Sequence, residues 1–328
     1  MPRYILQRLL HAALLVVGLL TVVFFLVHLM PGDPVGLIDE QHLGAGGRDL
    51  VRERLGLDRP LLEQYGHWLA GALRGDFGVS LRQQRPVVGI IAEALPNTLL
   101  LTLSAFLLEL SIGVGIGVTV ARHPGRLRSR SLATGGLVLY SLPSFWLGLV
   151  AIMVFARDLG WLPAGGMHAP DAAWLPFGAR GLDLLRHLLL PMLVLGLGNV
   201  AVSARFTRSS LGRILADDWV LAARARGVPE GRLVWRHALR VASLPVITWV
   251  GFSLPRLVGG AVAVEEVFAW PGLGRVAVQA LLARDYPVIV AVTAVVAVVV
   301  ALGGLLADLL ARWADPRLRL DGDRPEVR

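Results

Sequence analysis

The side chains able to do chemistry are few and dispersed. His11, His28, His42, His67, His123, His168, His187 and His237 fall in different segments, and no His-Glu-x-x-His occurs. The helix face that holds a proteolytic zinc ion is therefore not supported. Cysteine is absent, which removes disulfides, thiolate metal sites and cysteine nucleophiles and says nothing about compartment. Lysine is absent too, so every basic side chain is arginine. A nucleotide-binding Gly-x-x-x-x-Gly-Lys-Ser/Thr loop, whose lysine reaches the phosphates, cannot be built. Ser111, Ser203 and Ser253 lie in or beside apolar runs. A serine protease there would need a facing histidine, and helix packing through small residues explains them more economically. What remains is charge in unusual places: Glu109 and Arg256 within apolar runs, the pair Glu265 and Glu266, and an arginine-rich segment from Asp217 to Arg240.

The elements that must position these residues are apolar. Of 328 residues 55% are hydrophobic and only 17% charged, against about 25% charged in soluble domains. Mean hydropathy is +0.63. Six runs have about the 20 residues needed to cross a hydrocarbon layer of roughly 30 Å: Leu9–Leu29, Thr98–Val120, Leu132–Phe155, His187–Ala204, Leu244–Val264 and Val288–Ala311. The fourth is short and contains Pro191. None alternates as a membrane barrel strand does. The expected fold is an all-α polytopic membrane protein with six transmembrane helices. The first run follows Arg3 and Arg8 as a signal peptide would, but it is too long and ends in HLMPGDP without a small-x-small site. It reads as an uncleaved first span.

Arginine placement gives the orientation. Arg122, Arg126, Arg128 and Arg130 crowd the link after the second run, Arg205, Arg208 and Arg213 begin the link after the fourth, and Arg312, Arg317 and Arg319 follow the sixth. The links after the third and fifth carry Asp158, Asp171, Asp183, Glu265 and Glu266. The positive-inside rule then places both termini in the cytoplasm. The expected organisation is an N-terminal tail and first helix over 1–30, an extracytoplasmic segment over 31–96, a five-helix core over 97–311 and a cytoplasmic tail over 312–328. Within 31–96, Leu61, Leu62, Tyr65, Trp68, Leu69 and Leu73 recur at helical spacing. That amphipathic helix could lie on the membrane, on a soluble partner, or on the protein's own outer face.

Glu109 and Arg256 each lie about twelve residues into their runs, roughly 18 Å from the face where the run begins and close to mid-membrane. Charges at that depth are costly and find partners or water. Two readings stand: the two side chains pair or line a shared aqueous pathway, or each separately meets protein polar groups. Glu265 and Glu266 fall at the outer end of the fifth run. They are expected either at an outer mouth, facing a partner or cationic solute, or in a solvated loop fixed by Pro271 and Gly272.

The arginine-rich segment DDWVLAARARGVPEGRLVWRHALR has the punctuation of two short helices. Asp217 and Asp218 suit a helix N-terminus, Arg224 and Arg226 its C-terminal end. Gly227 suits the left-handed residue that closes a helix, and Pro229 the first position of the next. Leu233, Val234, Ala238 and Val241 are expected to form an apolar stripe, with Arg232, Arg236 and Arg240 facing elsewhere. Ala222, Ala223 and Ala225 would leave a low-relief surface for close approach. A solvated basic loop explains the arginines but neither the Gly-Pro punctuation nor the alanines. Nucleic-acid binding lacks stacking aromatics beyond Trp219 and Trp235. A docking helix for a cytosolic partner accounts for all of these features.

The stretch DWVLAARARGVPEGRLVWRHALRVASLPVITWVG resembles the cytoplasmic loop of ABC importer permeases, and the chain is similar to their dipeptide/oligopeptide/nickel class from end to end. The likeness runs through RYILQRLL, HLMPGDP, LGLDRP, GDFGVSL, PSFWLGL, VEEVFAWPGLGR, ARDYP and ADPRLR, in that order. Leu221 stands where the general loop pattern has glutamate and Arg240 where it has proline. The resemblance implies a type I permease fold and a coupling loop over 205–243. The residues it assigns to ATPase coupling are Asp218, Ala222, Ala223, Arg224 and Gly227. It also implies a second permease subunit, two cytosolic ABC ATPases that carry ATP and magnesium, and an extracytoplasmic solute-binding protein. The chain itself is expected to hold no cofactor and no metal, to hydrolyse nothing, and to meet lipid rather than nucleic acid. Glu109, Arg256, Glu265 and Glu266 remain candidates for the translocation pathway. A self-sufficient ion-coupled transporter is the alternative; it would require internal repeats and broken helices, and no repeat is visible.

Overall fold

The computed structural model describes residues 2–29, 58–253 and 261–314. Regular structure among them is helical, apart from one isolated antiparallel bridge between Val79 and Pro86. Three described helices are long and apolar enough to cross a membrane, or up to five if each of two bent pairs counts as one span. By Cα proximity the chain divides into two units, Met1–Thr98 with Pro271–Ala301, and Leu99–Trp270 with Leu302–Arg328.

The first unit contains α1 (Pro2–Leu29), α2 (Leu61–Leu73), the start of α3 (Val87–Arg122), α12 (Leu273–Leu282) and most of α13 (Tyr286–Ala314). Only 11% of the Leu6–Leu26 window is buried, so α1 presents most of its apolar surface outward, as a lipid-facing helix does. The amphipathic α2 packs on the protein's own helices. Trp68 joins a cluster with Leu20, Val290 and Ala294, the Tyr65 hydroxyl meets Thr21 Oγ1 at 2.6 Å, and the Phe24 ring meets Tyr65 edge-on at 5.3 Å. The expected stripe is only half used: Leu61, Leu62 and Leu73 are exposed.

Two polar contacts tie distant parts of this unit together. Asp285 is buried, and its carboxylate accepts from the Ser80 hydroxyl and from the backbone N–H groups of Leu81 and Arg82. Thr98 Oγ1, also buried, accepts from the Leu273 N–H at 2.7 Å, capping the first turn of α12.

In the second unit, α3 continues and is followed by α4 (Leu127–Ser141), α5 (Ser144–Ala151) with a π-helical extension Ile152–Asp158, α6 (Phe177–Leu197) and α7 (Val200–Ile214). After these come α8 (Asp218–Ala225), α9 (Glu230–Arg232), a π-helical turn Leu233–Ala238, α10 (Leu239–Ser253) and α11 (Val262–Val267). The expected spans are corrected in three places. The second run lies within a longer helix, because α3 starts at Val87 and runs straight through Pro96. The third is two helices meeting at 102°, since Pro143 holds Leu142 extended and starts α5 anew. The fourth is bent by 50°, and Pro191 is not the cause: it sits inside α6, which ends only at Leu197. Of the fifth run, the described helix ends at Ser253 and residues 254–260, Arg256 included, lie outside the described residues.

Glycines let α3 and α7 approach closely. Gly113 and Gly117 stand four apart on one face of α3, and a Cβ added at Gly117 would lie 2.5 Å from Thr207 Cβ and 2.7 Å from the Ala204 carbonyl oxygen. Small residues at this spacing let helix backbones approach without a hydrophobic driving force. Val118 of α3, Leu211 of α7, Val234 and Ala238 of the π turn and Ala242 of α10 then close one buried cluster.

Candidate functional site

The arginine-rich segment folds as its punctuation indicates. Asp217 is extended at the N-cap of α8 and Asp218 opens its first turn, where the helix dipole favours negative charge. The Asp217 carboxylate does not cap the helix; it accepts instead from the Trp219 indole N–H at 3.3 Å. At the other end the Gly227 N–H bonds to Arg224 O at 2.9 Å and the Val228 N–H to Ala223 O at 3.2 Å, the two bonds of a Schellman closure. That closure needs a left-handed residue, and Gly227 has φ +78°. Pro229 lies one position outside the expected place, as the N-cap of α9.

The turn is stapled from outside and anchored from inside. Arg224 donates from Nε and Nη2 to the two carboxylate oxygens of Glu230, at 3.1 and 2.9 Å, across Gly227. Hydrogen bonding from Arg224 holds the Glu230 carboxyl below the usual range against the cost of partial burial, with further help from the charges of Arg224 and Arg122. The same bond to Glu230 raises the Arg224 guanidinium. Beneath the staple, Val220, Ala223 and Leu233 form a buried cluster with Leu215 and Val228 against it. Ala223 is therefore an anchor, not part of the outer low-relief surface; the outward face of α8 carries Asp218, Leu221, Ala222 and Ala225. Leu221 is 56% exposed and Trp235 53%. Exposed apolar side chains beside small residues form a surface that another chain can cover.

The apolar stripe of the second helix is also corrected. Leu233, Val234 and Ala238 are buried, but Val241 is exposed and Ala242 takes its place. The π-helical turn Leu233–Ala238 carries an extra residue, which moves the inner face on by one position. Arg232, Arg236 and Arg240 face outward as expected. Ser210 of α7 donates to the Ala242 carbonyl at 2.8 Å in a buried bond, fixing the far side of the segment to α7.

Glu109 lies elsewhere, on a cavity of about 260 Å³ whose wall includes Phe106, Tyr140, Ser144, Asn199 and Trp249. The residue is only 7% exposed, and its carbonyl oxygen accepts a long bond of 3.4 Å from Ser203. The proposed partner Arg256 lies outside the described residues, so the pairing has no described geometry. Glu265 is neither at a solvated mouth nor in a loop. It is fully buried within α11, between Val264 and the segment holding Phe268 and Trp270, while its neighbour Glu266 is exposed. The structure thus brings Asp218, Ala222, Ala223, Arg224 and Gly227 into one element, and does not gather Glu109, Glu265 and Glu266 into one site. Sequence reasoning missed Glu230 as the staple's acceptor and Ser210 as its brace. The Gly-Val-Pro-Glu turn is itself a signal for the first; nothing local marks the second.

Comparison with known proteins identifies the family. Residues 113–320 match the family described as binding-protein-dependent transport system inner membrane component, and residues 1–102 match the N-terminal family of the same systems' membrane components. The oligopeptide transport system permease protein AppB of Bacillus subtilis is 38% identical over 97% of this chain and 99% of its own length. The glutathione transport system permease protein GsiC of Escherichia coli K12 is 39% identical with the same coverage. In fold, 69% of the chain superposes on 96% of a chain of the MetNI methionine ABC transporter, solved in inward-facing conformations, with a TM-score of 0.52 at 18% identity. Apolar helices, an outward-facing alanine and glycine knob on a basic segment, and family matches that cover nearly the whole sequence lead to one conclusion: the chain is a multi-pass inner membrane protein that belongs to the permease subunits of binding-protein-dependent ABC importers, in their peptide class.

Proposed function

We propose that this permease forms half of a translocation pathway for small peptides, with a second permease subunit as the other half. Two cytosolic ATPases drive the pathway and an extracytoplasmic binding protein loads it. In this reading six helices span the membrane with both termini in the cytoplasm, and α8 with Gly227 is the knob that the ATPase holds. The reading is carried by the construction of that segment. A small, outward-facing surface of Ala222, Ala225 and Gly227 is stapled by Arg224–Glu230 and rooted in α3, α7 and α10 through two buried clusters. A solvated loop needs no such rooting. The substrate assignment follows the names of AppB and GsiC, whose systems carry oligopeptide and glutathione.

The mechanism is mechanical. Closure of the motor subunits displaces the knob, and α7 and α10 move with it because Ser210, Leu211, Val234 and Ala242 pack as one body. A partner that favours one of two arrangements shifts the population between them by its differential affinity. The test is reconstitution of the chain with its sister permease, ATPases and binding protein in proteoliposomes. ATP-dependent peptide uptake by the complex, and none by the isolated chain, is expected; counterflow catalysed by the isolated chain would refute the proposal and restore an ion-coupled carrier.

A further inference from the structure

We propose that α2 is seated in the outer leaflet of the membrane, with Leu62 and Leu73 against lipid acyl chains. This placement is independent of what the importer carries. Depth follows from what the helix packs on. Tyr65 stacks on Phe25 at 5.7 Å between ring centroids, and Trp68 lies 5.5 Å from Phe24. Trp68 also packs against the cluster of Leu20, Val290 and Ala294. The apolar windows of α1 and α13 are Leu6–Leu26 and Tyr286–Leu309. Leu20 stands six residues before the end of the first and Ala294 eight residues after the start of the second, or about 9 and 12 Å inside them. An interfacial helix buries its apolar side about 5–10 Å into the boundary between headgroups and acyl chains, which is the depth these contacts give. Tyrosine and tryptophan are also the side chains that gather at that level.

The sides of α2 divide three ways, as such a seat requires. Successive residues turn by about 100°. Tyr65, Trp68, Leu69 and Ala72 thereby share the side packed on the protein and are half-buried. Glu63, His67 and Arg74 share another side and are exposed, so charge and polarity face water there. Between the two runs a strip of Leu62, Gly66 and Leu73. Its leucines are 75% and 76% exposed, and a Cβ added at Gly66 would meet no atom within 4 Å. The strip belongs with the outward surface of α1, where Val22, Leu26 and Leu29 are exposed at the end that carries α2. A soluble protein is the poorer occupant, because it would have to enter the headgroup layer to reach leucines on a helix at this depth.

The absence of native cysteine supplies the test. Leu62→Cys with Glu63→Cys, and Leu73→Cys with Arg74→Cys, give two pairs of chain neighbours. Each single-cysteine chain is assembled with its partners in proteoliposomes and labelled with a nitroxide. Electron paramagnetic resonance then reads its collisions with oxygen, which concentrates among acyl chains, and with a water-soluble nickel chelate. The expected oxygen-to-nickel ratio is at least about fivefold higher at 62 than at 63, and at 73 than at 74, because one neighbour faces acyl chains and the other water. A smaller difference in either pair would overturn the proposal. So would a difference that arises only when loaded binding protein is added, which would give the strip to that partner, or low collision rates with both reagents at 62 and 73, which would place another chain over it. If one pair does not assemble, the other decides by the same criterion. The measurement requires neither ATP nor transport, so its failure leaves the importer reading standing, and failure of reconstituted uptake is seen separately.

Discussion

Replacing Gly227 isolates the knob from the rest of the fold. The residue has φ +78°, and an added Cβ would meet no atom within 4 Å, so the cost of a side chain there is conformational and not steric. For an ordinary L-residue the left-handed region costs about 1–2 kcal/mol, more for a β-branched one, whereas asparagine visits it readily. A penalty of that size lowers the population of the closed turn by about 5- to 30-fold. It remains well below the roughly 5–15 kcal/mol that holds a domain together. Gly227→Val should therefore insert and assemble with the sister permease while substrate-stimulated ATP turnover of the complex drops about tenfold. Gly227→Asn should stay within about threefold of wild type, because only the backbone preference separates the two. Purified complexes in proteoliposomes, assayed for phosphate release with and without loaded binding protein, give the comparison. If valine and asparagine behave alike, the left-handed closure is not what shapes the docking surface, and the reasoning fails.

Other outcomes follow from single contacts. Gly117→Leu drives a side chain into Thr207 and the Ala204 carbonyl, and should cost at least about 3 kcal/mol, so that little folded chain is recovered from membranes. Ser80→Ala removes a buried hydrogen bond to the Asp285 carboxylate and should lower stability by about 1.5–3 kcal/mol, seen as a lower melting temperature of the detergent-solubilised complex. The Glu230 carboxyl is depressed when folded, so its contribution is present above the ordinary value of 4.5 and is lost as pH falls through the depressed one. Because the Arg224–Glu230 pair is about 40% exposed (39% and 43%), the effect is small, and melting curves of wild type and Glu230→Gln should converge as pH falls below the depressed value of that carboxyl and differ by well under 1 kcal/mol at pH 7.

What the sequence made legible depended on whether the cause was local. Asp217, Gly227 and Pro229 each constrain their own backbone, and the two-helix knob they mark is present. Pro143 is equally local, yet a hydropathy window runs across it, and the 102° bend it causes was hidden inside one apolar run. Glu265 misled because charge suggests water, while its burial is decided by residues packed around α11. The exchange of Val241 for Ala242 came from one π-helical turn, a backbone detail that periodicity at 3.6 residues cannot register. Ser80 and Asp285, 205 positions apart, carry no mutual signal in a single sequence.

The helix α7 has a consequence of its own. It begins beside the Asn199 wall of the Glu109 cavity and ends a few residues before Asp218, a rod of 15 residues and therefore about 22 Å. Tilting such a rod by about 5° sweeps one end through roughly 2 Å relative to the other. That is the width over which a hydrogen bond is made or lost. A modest displacement of one end of α7 would thereby shift the cavity wall at its other end by about that width, without any rearrangement of the chain between.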